Sequence, residues 1–337
     1  MQILQRAVTL DNRKVQEFTL SNDRGTELVC LNLGCTVIKL TAPDRHGRRE
    51  NIIYGFDRLD DYAHNTPYFG AVVGRVAGRI QGASFSLLGQ TYPLEANDGG
   101  NTLHSGSKNF TNALWDAEPE VRAQEVSVRF RHSSPAGEGG FPGNLTMEVV
   151  YTLDNTDAWT ITYRALSDQT TLLNPTNHAY FNLSGQTGIQ DHWLTIKSEE
   201  FLELDSQAIP TGKRLSVENS VFDFRQPRAL HTGLTAKHPQ IQCVNGGYDH
   251  PFVLTTRFSR EAVLSDPSTG RALVVDTDAP SLVVYTGNHL PQKHQALCLE
   301  AQGFPDAIHH ETFPSVLLEP RREWVSRTRY TLETFSE

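Results

Sequence analysis

Residues 146–153 alternate β-branched or aromatic side chains with polar ones, a polar stretch follows at 154–157, and the alternation resumes over 159–166. A period of two places successive side chains on opposite faces of an extended chain, so the pattern predicts a β-hairpin. A second hairpin is predicted over 85–94, where Gly89-Gln90 would form a two-residue loop led by glycine, as a type II′ turn requires. Residues 271–276 and 281–286 add strands around Asp278-Ala279-Pro280. Such short strands, separated by turn signals, recur from the first fifty residues to residues 330–333. Helical periodicity is confined to 57–63 and 228–236, about two turns each. The expected class is therefore all-β, a large antiparallel multi-sheet β-sandwich. No Ser/Gly/Pro-rich linker and no repeat of fixed period interrupts the strands, so residues 1–337 are expected to form a single domain.

Composition narrows the function classes. The 337 residues are 38% apolar and 20% charged, as in a globular chain with an ample core. The formal net charge of -9 and the lack of a long basic run argue against nucleic acid as a partner and favour an uncharged substrate. No apolar stretch of signal-peptide length opens the chain, and nothing approaches the ~20 apolar residues of a membrane span. No membrane association and a cytoplasmic location are the corresponding expectations. Cys30, Cys35, Cys243 and Cys298 form no CxxC pair and lie in apolar contexts, which predicts buried free thiols instead of disulfides or zinc ligands. His309-His310-Glu311 lacks the histidine spacing of HExxH and has no obvious third ligand, so no metal is expected. The glycine-rich run at 70–80 is not GxGxxG and does not join a strand to an amphipathic helix, so no phosphate-bearing cofactor is expected.

Two segments stand out for chemistry. Residues 174–183 and 298–306 each set one titratable side chain, His178 and Glu300, among strand-forming and turn-ending neighbours. An imidazole that titrates near neutrality and a carboxylate tuned by burial suffice to move protons on a neutral substrate without metal or cofactor. Arg75 and Arg79 read either as ion-paired or surface residues or as planar donors to substrate hydroxyls. His104, between a strand-like residue and a turn, reads by itself as structural, and Asp249, in a glycine-preceded turn, as a cap of its own backbone.

Taken together, Gly74-Arg75-Val76-Ala77-Gly78-Arg79-Ile80, Thr102-Leu103-His104-Ser105-Gly106, Gly139-Gly140-Phe141-Pro142-Gly143, Asn177-His178-Ala179-Tyr180-Phe181-Asn182-Leu183, Gly247-Tyr248-Asp249-His250, Tyr285-Thr286-Gly287-Asn288 and Leu299-Glu300-Ala301-Gln302 resemble the aldose 1-epimerase, or galactose mutarotase, family in order and spacing. The resemblance runs from about Gly34 to Leu318-Glu319-Pro320. It implies a large β-sandwich with a shallow sugar cleft that interconverts the α and β anomers of free hexoses such as galactose and glucose. It implies Glu300 as general base and His178 as general acid, with Arg79, His104 and Asp249 binding sugar hydroxyls, Gly78 beside Arg79, and Tyr180 in the binding segment. Tyr180 or Phe304 would offer an apolar face to the ring carbons. Gly78 stands where many relatives carry Asn, and Val283 where some carry Gln; both departures bear on hexose preference.

Two other functions fit the same fold. A non-catalytic sugar-binding or sensor protein is disfavoured by the presence of both His178 and Glu300. A hexose 6-phosphate mutarotase needs additional basic residues near the cleft. A glycosidase would want two carboxylates across a glycosidic bond. The expected partner is thus a free hexose, and the expected assembly is a monomer or a homodimer.

Overall fold

A computed structural model describes residues 1–185 and 188–336. Two large sheets and a five-stranded one carry its architecture. The nine-stranded sheet runs Asp116–Val121, Glu125–Ser134, Leu145–Asp154, Ala158–Ser167, Trp324–Thr334, Arg271–Thr277, Ala262–Asp266, Trp193–Ile196, Arg228–Ala229. The seven-stranded sheet runs Pro210–Ser216, Ser198–Leu204, Asp249–Leu254, Ser281–Tyr285, Leu297–Gln302, Tyr180–Phe181, Ile53–Tyr54. Pairing within both is antiparallel. No described helix is long and apolar enough to cross a membrane.

The hairpin predicted around 154–157 forms, with Leu145–Asp154 paired to Ala158–Ser167. Its period of two becomes burial: Met147, Val149, Tyr151 and Leu153 enter the core while Glu148, Val150 and Thr152 stay half-exposed on the other face. Trp159, Ile161, Tyr330 and Leu332 join them from neighbouring strands. Facing them from the seven-stranded sheet are Phe252, Leu282, Val284, Leu297, Leu299 and Ala301. The Tyr330 hydroxyl donates to the Leu299 carbonyl at 3.0 Å and ties the two sheets together. The opposite face of the seven-stranded sheet holds Asp249, Val283, Tyr285, Glu300 and Gln302, and there the cavity opens. Strand alternation thus sends Leu299 and Ala301 into the core and Glu300 to the cavity from one short segment.

Three expectations are corrected in detail. The 85–94 hairpin turns one residue early: Leu87 pairs with Gln90, so Leu88-Gly89 is the loop. Both residues have positive φ, 51° and 80°, which is a type I′ arrangement and not type II′. Burial sets this register, since Phe85 and Leu87 turn inward while Leu88 is left 85% exposed. The run at 228–236 is helical only over His231–Leu234, because Arg228–Ala229 pairs with Leu194 and Trp193 as an edge strand. An unpredicted short helix, Pro239–Cys243, is started by Pro239 and by His238, whose Nδ1 accepts from the Gln240 amide. The run at 57–63 becomes a 3₁₀ turn over Leu59–His64.

Arg75 is buried and points away from the cavity. Its guanidinium donates to the carbonyls of Ser134, Pro135, Pro142 and Gly143 and to the hydroxyls of Ser134 and Thr171. Burial pushes its pKa down to about 10. Neither reading open for this arginine holds: it is buried, its hydrogen bonds run to carbonyls and hydroxyls and not to a carboxylate, and it does not line the cavity. All four cysteines are free; Cys243 is half-buried and the other three are buried.

Candidate active site

Two short ties bring His178 and Glu300 together. Asn174 accepts from the Gly303 amide at 2.6 Å and donates to the Gly303 carbonyl at 3.1 Å, and the Thr176 hydroxyl donates to the Ala301 carbonyl. The segment before the histidine is therefore fastened to the strand that carries the glutamate. The main chain of His178 is held on both sides, its amide by Ala71 and its carbonyl by the Gly70 amide. Asn177 donates to the Gly70 carbonyl and to the Tyr151 hydroxyl, and it accepts from the Ala179 amide. The result is a His178 Nε2 to Glu300 Oε1 distance of 3.6 Å, with both side chains nearly inaccessible.

The remaining sequence candidates converge on the same cavity, which measures about 570 Å³. Gly78, Arg79, His104, Tyr180 and Asp249 all line it with His178 and Glu300. Arg79 donates to Asp98 at 2.7 Å and lies 3.5 Å from Asp249. The Gly78 amide donates to His104 Nδ1 at 3.1 Å, and the His104 amide donates back to the Gly78 carbonyl. That bond places the proton of a neutral His104 on Nε2 and makes the ring a donor. His104 has φ of 51°, left-handed backbone that a glycine would adopt more easily. The departure at Gly78 has a steric reason too: its φ is 77°, and a Cβ there would stand 2.9 Å from Pro305. Val283 sits directly across the strand pair from Glu300.

Burial dominates the electrostatics. It raises the pKa of Glu300 well above the ordinary carboxylate range, with the neighbouring Asp249 adding to the rise. It lowers His178 to about 4 and drives His104 well below the usual imidazole value. Asp249 is pushed up to about 6 by burial, against the opposing pull of Arg79. Desolvation penalises every charged form, which raises the carboxyls and lowers the imidazoles in this one cavity.

Tyr68, Asp98, Gln207, Asn245 and His289 carried no readable sequence signal, whereas Tyr180, Tyr285 and Gln302 lie in the motifs that carry the resemblance. Tyr68, with φ of 60°, packs its ring edge against His104 with centroids 4.6 Å apart. Tyr180 and Tyr285 flank His178 at 5.0 and 6.2 Å. Asp98, Gln207, Asn245, His289 and Gln302 complete much of the polar lining. Phe304, weighed above as an aromatic platform, instead packs with Leu202 and Phe313 and does not line the cavity. His309 and His310 group around buried Asp306, at 2.6 and 3.6 Å, outside the cavity. Among the described residues one set, His178, Cys298 and Glu300, places possible metal-ligand atoms within 4.8 Å of one another. The thiol meets Nδ1 and the carboxylate meets Nε2, however.

Fold and site together describe an all-β protein with a cavity lined by buried carboxyls, imidazoles and an Arg–Asp pair, groups that can move protons and hold hydroxyls. Residues 16–331 match the family model for aldose 1-epimerase. The chain is 42% identical over 325 residues to the galactose mutarotase of Bos taurus, covering 92% of each chain. It is 36% identical to the maltose epimerase of Levilactobacillus brevis, covering 96% of each. Its fold superposes on the crystal structure of galactose 1-epimerase from Lactobacillus acidophilus with a TM-score of 0.90, at 29% identity over 99% of both chains. The chain belongs to the aldose 1-epimerase family, and it is an isomerase that interconverts the anomers of hexoses.

Proposed function

We propose that Glu300 and His178 are the base and the acid of this reaction and that the preferred substrates are neutral free hexoses, galactose and glucose. The observation that carries the assignment is the 3.6 Å approach of the two groups inside the cavity. Anomer exchange requires the C1 hydroxyl to lose a proton while the ring oxygen gains one. With Glu300 ionised and His178 protonated, the carboxylate takes the hydroxyl proton, Nε2 delivers its proton to the ring oxygen, and the C1–O5 bond breaks to give the open aldehyde. Rotation about C1–C2 and the reverse transfers close the other anomer. The pair holds one transferable proton before opening, on Nε2, and one after it, on Glu300, while the sugar loses a proton at O1 and gains one at O5, so nothing is exchanged with solvent. Opening turns an ion pair into a neutral pair, the direction that burial of the two groups favours.

Arg79 and Asp249 are the candidate clamp for sugar hydroxyls, with His104 donating through Nε2. Among the described residues that line the cavity, Arg79 is the only Arg or Lys, and Asp98 and Asp249 already share it. This supports neutral hexoses over their 6-phosphates. The test is NMR saturation transfer between anomers at equilibrium: strong enhancement for galactose or glucose with far less for glucose 6-phosphate is expected. Comparable kcat/KM for the phosphate would reassign the substrate, and no enhancement with any free hexose would leave a sugar-binding protein. The largest apolar cluster spans Phe18 to Leu332, which supports reading the chain as one domain.

Asp249 yields a pH prediction. With a pKa pushed up to about 6, it loses its charge as pH falls through that value, and with it the attraction of Arg79 and its capacity as a pure acceptor. KM for galactose should therefore rise as pH drops from 7 to 5, and Asp249→Asn should show a raised KM that no longer varies over that range. A KM independent of pH in the unmodified enzyme would remove Asp249 from the binding role.

A further inference from the structure

We propose that Cys298 is a positioning residue for His178: its sulfur, 3.4 Å from Nδ1, keeps the proton on that nitrogen and leaves Nε2 as the reactive edge facing Glu300. The inference rests on the reading of His178 as the acid. In a neutral imidazole either nitrogen can carry the proton, and the partner of the non-reacting one decides which does. Cys298 and Glu300 are two residues apart on the strand Leu297–Gln302 and project from the same face. Their ligand atoms and a ring nitrogen of His178 lie within 4.8 Å of one another, so the imidazole packs against both side chains at once. One strand thus presents a sulfur to one ring nitrogen and a carboxylate to the other.

Among the described residues, Cys298 makes the only side-chain hydrogen bond recorded to the His178 ring. Tyr68, Tyr180, Tyr285 and His104 pack around the imidazole as rings. With the sulfur as acceptor, the Cys298 contact favours Nδ1–H. The chemistry requires the same tautomer. After Nε2 has given its proton to the ring oxygen, reclosure needs a free, unprotonated lone pair at Nε2 to take a proton back. An imidazole that relaxed to Nε2–H would have no acceptor there and would stall at the open chain.

Cys298 suits a neutral acceptor. It is fully buried, and burial together with the nearby Glu300 raises its pKa well above the ordinary thiol value. It therefore stays a thiol and does not compete as a base or a nucleophile. Sulfur accepts weakly, so it biases the tautomer without holding the proton so firmly that the ring cannot rock.

The test uses the full chain labelled with ¹⁵N-histidine, in which two-bond ¹H–¹⁵N correlations report the tautomer of His178 directly. The unmodified, sugar-free enzyme at neutral pH is expected to show Nδ1–H, and Cys298→Ala a mixture of both tautomers with kcat reduced about tenfold and KM unchanged. Cys298→Ser, which keeps an acceptor, is expected to restore the Nδ1–H signature and most of kcat. Nε2–H in the unmodified enzyme, or an unaltered tautomer and kcat in Cys298→Ala, would overturn the proposal. Equal kcat losses in Ala and Ser variants with unaltered tautomer would also overturn it, since they would show that the residue only packs. The spectrum is read without turnover, so a failure of the mutarotase reading, seen as no anomer exchange in the unmodified enzyme, is distinguished from a failure of this one.

Discussion

Glu300→Gln is expected to lower kcat for anomer interconversion by about two to four orders of magnitude while KM stays near the unmodified value. Glutamine keeps the shape of the side chain and its reach toward His178, but an amide does not take the C1 hydroxyl proton at neutral pH. The loss is thus confined to the transition state and appears in kcat. His178→Asn should behave similarly, because it removes the group that protonates the ring oxygen and keeps a polar side chain of smaller size. The two losses should not multiply. Proton removal at O1 and proton delivery at O5 serve one bond cleavage, so once either is gone the other has little left to assist. A double variant only slightly slower than the worse single variant is the expected outcome of saturation-transfer measurements. Near-normal exchange in Glu300→Gln would refute the assignment, and fully multiplicative losses would separate the two residues into different steps.

Arg75→Met is expected to destabilise the fold by about 3 kcal/mol or more, with kcat per folded molecule little changed. Methionine fills much of the same space but donates nothing. The carbonyls of Ser134, Pro135, Pro142 and Gly143, which converge on the guanidinium, would be left buried without partners. Each buried unsatisfied group costs about 1–3 kcal/mol, so even partial rescue by water leaves a large deficit. Arg75→Lys should recover only part of it, because one ammonium cannot reach partners arranged for a planar fork. Denaturant unfolding checks this. A normal unfolding midpoint accompanied by a raised KM would place Arg75 at the sugar after all.

These two arginines show where legibility ended. Arg75 and Arg79 lie four residues apart in one glycine-rich segment, with similar neighbours and the same chemistry. One is locked to backbone carbonyls of distant loops, and the other pairs with Asp98 and Asp249 at the cavity. Their roles are set by what the fold brings near, and residues at positions 134 and 249 are not local to either. Asp98 and Tyr68 illustrate the same point: each sits in an ordinary polar or turn-like stretch, and only proximity to Arg79 or His104 gives it work at the site.

The local pattern of the chain determined what depends on near neighbours. Strand alternation over 146–166 set a hairpin and its buried face, and scarcity of helical periodicity set the all-β class, since both follow from backbone period and side-chain shape. The isolation of His178 and Glu300 among strand and turn residues marked the titratable pair, and the family motifs marked Arg79, His104 and Asp249 beside it. Tertiary structure decided the rest. It moved the 84–93 turn onto Leu88-Gly89, because burying Phe85 and Leu87 outweighed the preference for glycine in the first loop position. It brought His178 to 3.6 Å from Glu300 through Asn174 and Thr176, contacts that join positions more than a hundred residues apart. It also moved the charges of Glu300, His178 and Asp249 away from their ordinary values. That shift comes from exclusion of water by surrounding side chains, and no single stretch of sequence contains it.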